Sequence, residues 1–161
     1  VEGVCVRSFD DFFAAEYRRV VALAAALAGR AAAEELAQEA FVRAFRRWSR
    51  IAGYDDPAAW VRRVAVNLAT STLRRRGSEA RALARMALVR VVPEAEPVDE
   101  RFWAAVRRLP PRQAQCVALH YLEDRTTADI ATVLGIAEAT VRVHLHDGRR
   151  RLARELDEEA T

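Results

Sequence analysis

The sequence predicts an all-α protein made of two small helical domains joined by a flexible linker. Three observations carry that prediction. Apolar residues recur at three- and four-residue spacing through most of the chain, whereas Val/Ile/Thr runs with period-two alternation are missing. The 161 residues are 52% hydrophobic, but much of this is alanine, which favours helix and buries little area, so thin bundles are expected rather than one large core. The charge divides into three blocks: 13 Arg against 9 acids over residues 1–76, 3 against 5 over 77–100, and 10 against 9 over 101–161. Four of the last acids crowd into Glu155–Glu159, so two basic stretches flank an acidic one.

The first helix is expected to start at Ser8, with Asp10 and Asp11 in its first turn, and to stop at Gly29. The second spans about Ala33 to Arg50. Leu36, Ala37, Ala40, Phe41, Ala44, Phe45 and Trp48 form its apolar face, with glutamates early and arginines late, as the helix dipole favours. A loop over Ile51–Asp56 follows. Asp56-Pro57 then opens a third helix, as cap and first position, which ends in Arg74-Arg75-Arg76-Gly77. These helices make one bundle over Phe9–Arg76. Residues 78–98 read as the linker: a short helix can form over Glu79–Val92, but Pro93-Glu-Ala-Glu-Pro97 cannot continue it. The second domain, 99–161, holds helices over Arg101–Leu109, Pro111–Glu123, Thr127–Leu134 and Glu138–Leu156.

Thr126–Leu152 has the pattern of a helix-turn-helix. Such a motif needs two helices that cross closely, a small residue where they touch, and a glycine in the turn, where positive φ is required. Ala131, Gly135 and Val141 supply that spacing, and Ile130, Leu134, Ile136, Val141 and Leu145 its core. The exposed positions of the second helix are then Glu138, Ala139, Thr140, Arg142, Val143, His144 and His146, placed to enter a major groove. Arg149, Arg150, Arg151 and Arg154 follow along a phosphate backbone. A helical hairpin with a solvated arginine face has the same spacing. Five arginines against two acids over Glu138–Arg154 favour the nucleic-acid reading.

The remaining composition narrows the function classes. All 26 basic residues are arginine, which a GC-rich genome explains, so only their positions inform. Cys5 and Cys116 stand alone, which argues against a disulfide framework or a zinc site, and no cofactor is expected. No nucleophile–base pair, metal cluster or phosphate loop is visible, so an enzyme is not expected. There is no signal-peptide pattern, and no apolar run nears the roughly 20 residues of a membrane span, so a soluble cytoplasmic protein is expected. Histidine is the side chain suited to switching near neutral pH, so His144 and His146 raise the idea of pH-sensitive binding, against passive contact with phosphate or water. His120 is expected to pack in the helix before the motif.

With these elements in hand, LPPRQAQCVALHYLEDRTTADIATVLGIAEATVRVHLHDGRRRLARELDE resembles the region-four domain of extracytoplasmic-function sigma factors, a group of the sigma-70 family. The first domain resembles their region-two domain, with EELAQEAFVRAFRRW similar to its polymerase-binding helix and DPAAWVRRVAVNLATSTLRRR to its promoter-melting helix. The resemblance implies an alternative sigma factor that binds core RNA polymerase, through the beta-prime clamp helices and beta flap, and directs promoter-specific initiation. It implies polymerase docking by Glu35, Gln38, Glu39 and Arg43. It implies minus-ten contacts by Trp60, Arg62, Arg63, Asn67, Ser71, Arg74 and Arg75, with base capture in the loop Ile51–Asp56. There Tyr54 offers a stacking ring, and Asp55 or Asn67 a bonding edge. Trp48 reads as core, and Trp60 as core or DNA contact. Minus-thirty-five contacts fall to Glu138, Thr140, Arg142, Val143, His144, His146, Arg149 and Arg150. An anti-sigma partner is also implied.

The sequence departs from the family pattern at four places. Val66 stands where arginine is usual, Ala137 where a serine cap is, and Val143-His144 where serine and arginine are common. Asp147-Gly148 replaces Arg-Ala and is expected to interrupt the last helix. Two other readings use the same residues. One is a polymerase-independent regulator, which would bind paired half-sites as a dimer but lacks a heptad seam here. The other is a helical adaptor that binds only proteins.

Overall fold

Ser8 leads into α1 (Phe9–Ala28), which ends where Gly29 takes a φ of 87° and its N–H returns to the Ala25 carbonyl at 2.8 Å. The computed structural model describes residues 8–84 and 98–159, and among these there are eight helices and no strand. α2 (Arg30–Arg46) starts directly after Gly29 rather than at Ala33, and Arg47, at φ −122°, separates it from the single turn α3 (Trp48–Ile51). Asp56 accepts a hydrogen bond from the Ala59 N–H at 2.9 Å and so caps α4 (Pro57–Ala84) as its sequence predicts.

α4 runs on through Gly77, the expected stop. A glycine inside a helix costs about 1 kcal/mol, too little to end one that is otherwise supported. Arg81 donates to the Gly77 carbonyl, and the Arg75–Glu79 pair one turn apart adds support. The first part of the expected linker is therefore helix; residues 85–97 lie outside the described residues.

The second group comprises α5 (Val98–Arg108), α6 (Pro111–Glu123), α7 (Thr127–Leu134) and α8 (Glu138–Glu159). α8 is continuous through Asp147-Gly148, contrary to the expected interruption. Gly148 is buried there, and a Cβ on it would lie 3.0 Å from Val117 Cγ2 of α6. Its lack of a side chain lets α6 and α8 approach.

Two apolar clusters hold the chain together. One, around Phe12, Val20, Phe41, Ile51 and Val61, lies within the first bundle. Trp48 packs at its edge, 4.8 Å from Phe12 and 5.4 Å from Phe9 between ring centres, which agrees with its reading as core. The other cluster is shared by both groups. It runs from Leu23, Leu27, Val66 and Ala69 into Val106, Val117, Leu119, Ile130, Val133, Val141 and Leu145. The two helical domains thus lie directly against each other. Val66 is fully buried in this shared core, where an arginine would lose its hydration.

Candidate nucleic-acid interface

Three faces of the fold gather the residues singled out from the sequence. On α2, Glu35, Gln38, Glu39 and Arg43 are all exposed and line one shallow depression with Leu36 and Val42. Helical spacing puts them on one side, and Arg43 donates to Glu39 one turn earlier at 2.7 Å. Phe45, expected in the core, is instead 65% exposed farther along the same helix, with its ring 5.0 Å from Phe9. Val42 is exposed as well. Neither was singled out for this face. The signal was available: Val42 falls off the apolar stripe, and Phe45 sits at its rim.

The second face is the start of α4 and the loop before it. Tyr54 and Asp55 are exposed on the loop, Trp60 is half-buried against the first cluster, and Asn67, Ser71, Arg74 and Arg75 are exposed along α4. Trp60 therefore shares in the core and still presents an edge. Arg62 differs from these neighbours. Its side chain is 1% exposed and forks between two carboxylates, with Nε donating to Glu123 Oε2 at 2.5 Å and Nη2 to Glu16 Oε2 at 2.8 Å. Nη1 reaches the Ala58 carbonyl. Burial is the largest influence and disfavours the charge, but Glu123 and Glu16 together outweigh it and hold the guanidinium above its ordinary value.

Arg63 turns toward the second group. Its Nε donates to the Val133 carbonyl at 2.6 Å and Nη2 to the Thr132 carbonyl at 2.9 Å, satisfying free carbonyls in the last turn of α7 where a cation suits the helix dipole. Sequence spacing could not reveal these arrangements, because the Arg62 carboxylates lie 46 and 61 positions away.

The third face is the helix-turn-helix of α7 and α8. Thr126 and Asp129 form a reciprocal capping box: Thr126 Oγ1 accepts from the Asp129 N–H at 3.1 Å, and Asp129 accepts from the Thr126 N–H at 3.2 Å. The bonds from Thr126, chiefly that from its hydroxyl, hold the Asp129 carboxyl below its ordinary value. Gly135 turns the chain at φ 66°, and its N–H returns to Ala131 at 2.8 Å. Ile130, Val133, Leu134, Val141 and Leu145 are buried as a motif core.

On the outer side of α8, Thr140, Arg142, Val143, His146, Arg149 and Arg150 are exposed, while Glu138 and His144 are half-buried. Glu138 Oε1 accepts from Thr127 Oγ1 and from Arg142 Nη2, each at 2.6 Å. The Thr127 bond first, and Arg142 second, hold the Glu138 carboxyl below its ordinary value. The same bond ties α8 to α7 at the end where Ala137 supplies no cap. Arg149 donates to the Tyr121 hydroxyl at 2.6 Å and lies 5.5 Å from the centre of that ring. Tyr121, from α6, was not singled out from the sequence, yet it orients an arginine on the outer side of α8. His120 donates from Nδ1 to the Arg125 carbonyl at 3.1 Å and closes the end of α6, consistent with a packing role.

The arrangement suits binding. It presents an exposed mixed-charge patch, a basic helix with an aromatic loop, and a basic helix-turn-helix. No group of acidic, histidine or cysteine side chains among the described residues could hold a metal ion. No described helix is long and apolar enough to cross a membrane.

Comparison with known proteins places both regions. The profile of Sigma-70 region 2 matches residues 12–79, and that of Sigma-70, region 4 matches residues 99–152. An RNA polymerase sigma-E factor of Streptomyces antibioticus is 32% identical over 78% of this chain and 71% of its own length. The ECF RNA polymerase sigma factor SigM of Mycobacterium tuberculosis is 31% identical over 91% of this chain and 76% of its own. Among solved structures, the sigma factor RpoE of Bartonella quintana, crystallised with the anti-sigma factor NepR, superposes with a TM-score of 0.73. The match has 21% identity and covers 92% of this chain and 96% of that one, a likeness of fold.

Proposed function

The chain belongs to the extracytoplasmic-function sigma factors of the sigma-70 family, and from that premise we propose how its surfaces share the work of transcription initiation. It is an alternative sigma factor, which directs promoter-specific initiation with core RNA polymerase in bacteria. The observation that carries the division of labour is the tandem of an exposed docking face on α2 and an exposed reading face on α8.

In this reading, residues 1–77 serve core polymerase and the minus-ten element, 78–98 connect, and 99–161 serve the minus-thirty-five element and the beta flap. Glu35, Gln38, Glu39 and Arg43 meet the beta-prime clamp helices, and the neighbouring Val42 and Phe45 supply the apolar area that a stable protein contact needs. Tyr54, Asp55 and Trp60 lie where an unstacked base needs a ring and a bonding edge. Asn67, Ser71, Arg74 and Arg75 continue along the minus-ten strand, with Arg62 and Arg63 joining them when free. Arg142 and its neighbours Glu138, Thr140, Val143, His144 and His146 read base edges, and Arg149 and Arg150 hold phosphates. Sigma factors are non-catalytic initiation factors, and no catalytic step is assigned to this chain. The protein acts in the cytoplasm, where an anti-sigma factor covers the docking faces until they are needed.

Co-purification with core polymerase tests the assignment of the α2 face. The intact chain is expected to be retained, and Glu39→Ala/Arg43→Ala to be retained at least about tenfold less, a loss of about 1.4 kcal/mol. Equal retention of both would remove these residues from the docking face. Failure of the intact chain to bind would favour a polymerase-independent regulator.

A further inference from the structure

We propose that Arg62 and Arg63 form a self-latch, which closes the two helical groups on each other and withholds the start of α4 from DNA while leaving the α8 reading face open. The idea rests on the assignment of α4 to promoter contact made above. Arg62 and Glu16 belong to the first group and Glu123 to the second, so the guanidinium at the centre bridges the two. All three of its nitrogens are engaged. Glu123 is 6% exposed and accepts from Arg62 while also lying 3.4 Å from Arg125, so two cations and two carboxylates balance within the cluster.

Arg63 grips a second point. It lies across the end of α7 and so close to the turn that a Cβ on Gly135 would come within 2.8 Å of its Nη2. Two successive side chains thus hold the ends of two different helices of the second group. The Gln115–Thr70 hydrogen bond at 2.9 Å and the shared core around Val66 and Ala69 continue the same interface.

A guanidinium enclosed by carboxylates cannot also meet a phosphate or a base. DNA binding along the start of α4 therefore competes with the latch. Thr140, Arg142, Val143, His146, Arg149 and Arg150 of α8 are exposed in the closed arrangement, so an upstream duplex can be read without opening. A polar cavity of about 580 Å³ borders Arg62 and Glu123, which gives ions a route to the latch.

Small-angle scattering of the full chain and of Glu16→Gln/Glu123→Gln tests the closure without DNA or polymerase. Its failure is therefore distinguishable from failure of the promoter assignment. Wild type at low salt is expected to scatter as a compact chain, with a radius of gyration of about 15 Å for this length, and the variant to expand. A second arm measures binding to labelled oligothymidylate and to a random-sequence duplex. If about a tenth of wild type is open, opening raises single-strand affinity up to about tenfold. The variant adds the same positive charge toward both probes, so the single-strand gain is read relative to the duplex gain. An expanded wild type overturns the proposal, as does a variant that stays compact or gains equally on both probes. Where circular dichroism shows that the double variant has lost helix, Glu16→Gln alone, whose carboxylate is partly exposed, is read against the same outcomes.

Discussion

Replacing Gly148 with alanine sets two effects of known size against each other. Alanine in a helix interior is favoured over glycine by about 1 kcal/mol. Against this, the new Cβ would lie 3.0 Å from Val117 Cγ2, well inside the 3.5–4.0 Å of good carbon contacts. Val117 is fully buried and branched, so it cannot swing aside, and such overpacking costs about 1–3 kcal/mol. The expected net is a destabilisation of about 1 kcal/mol, or about 2–4 °C in Tm for a chain of this size. In a Val117→Ala background the clash disappears, and the same substitution should stabilise by about 1 kcal/mol. The coupling between the two sites is therefore about 2 kcal/mol. Urea unfolding followed by circular dichroism at 222 nm measures all four corners of the cycle. If Gly148→Ala stabilised the wild-type background, or if the coupling were near zero, the close approach of α6 and α8 would not depend on this glycine.

Three further outcomes follow from the site geometry. Thr126→Ala should cost about 1 kcal/mol of stability and let the Asp129 carboxyl titrate closer to its ordinary value in NMR, because the hydroxyl bond that lowers it is gone. Since a lowered carboxyl stabilises the fold above its unfolded pKa, the capping contribution in the intact chain should persist at neutral pH and fade only as pH falls through the folded value. Cys116 is buried with its thiol pushed up to about 11, so iodoacetamide at pH 8 should leave it unmodified in the folded chain and alkylate it in urea, as peptide mass mapping would show. Arg142→Ala should change which upstream elements are preferred, whereas Arg150→Ala should weaken all duplexes alike and flatten the salt dependence by about 0.9 log units per log salt. An unchanged preference would remove Arg142 from the base readers.

The second group was the more legible in sequence, for a physical reason. Its boundaries rest on strong local signals: Pro111 at a helix start, Thr126 in a capping box, and Gly135 at a positive φ. Local signals failed where the local stake is small. Glycine at 77 and 148 disfavours helix by only about 1 kcal/mol, which packing and ion pairs outweigh. They failed also where the decisive partner is remote. Nothing near Arg62 in the chain announces Glu16 or Glu123, so a residue read as a DNA contact is found inside an ion cluster. The exposed Phe45 shows a third cause: position on an apolar stripe says that a side chain can be buried, but the neighbouring elements decide whether anything covers it.

Run-off transcription with core RNA polymerase on genomic fragments, followed by mapping of the start sites, tests the central claim most directly. The account predicts transcripts that appear only when this chain is added and whose start sites share two upstream elements about two turns of DNA apart. Core polymerase that starts at the same sites with and without the chain would contradict it.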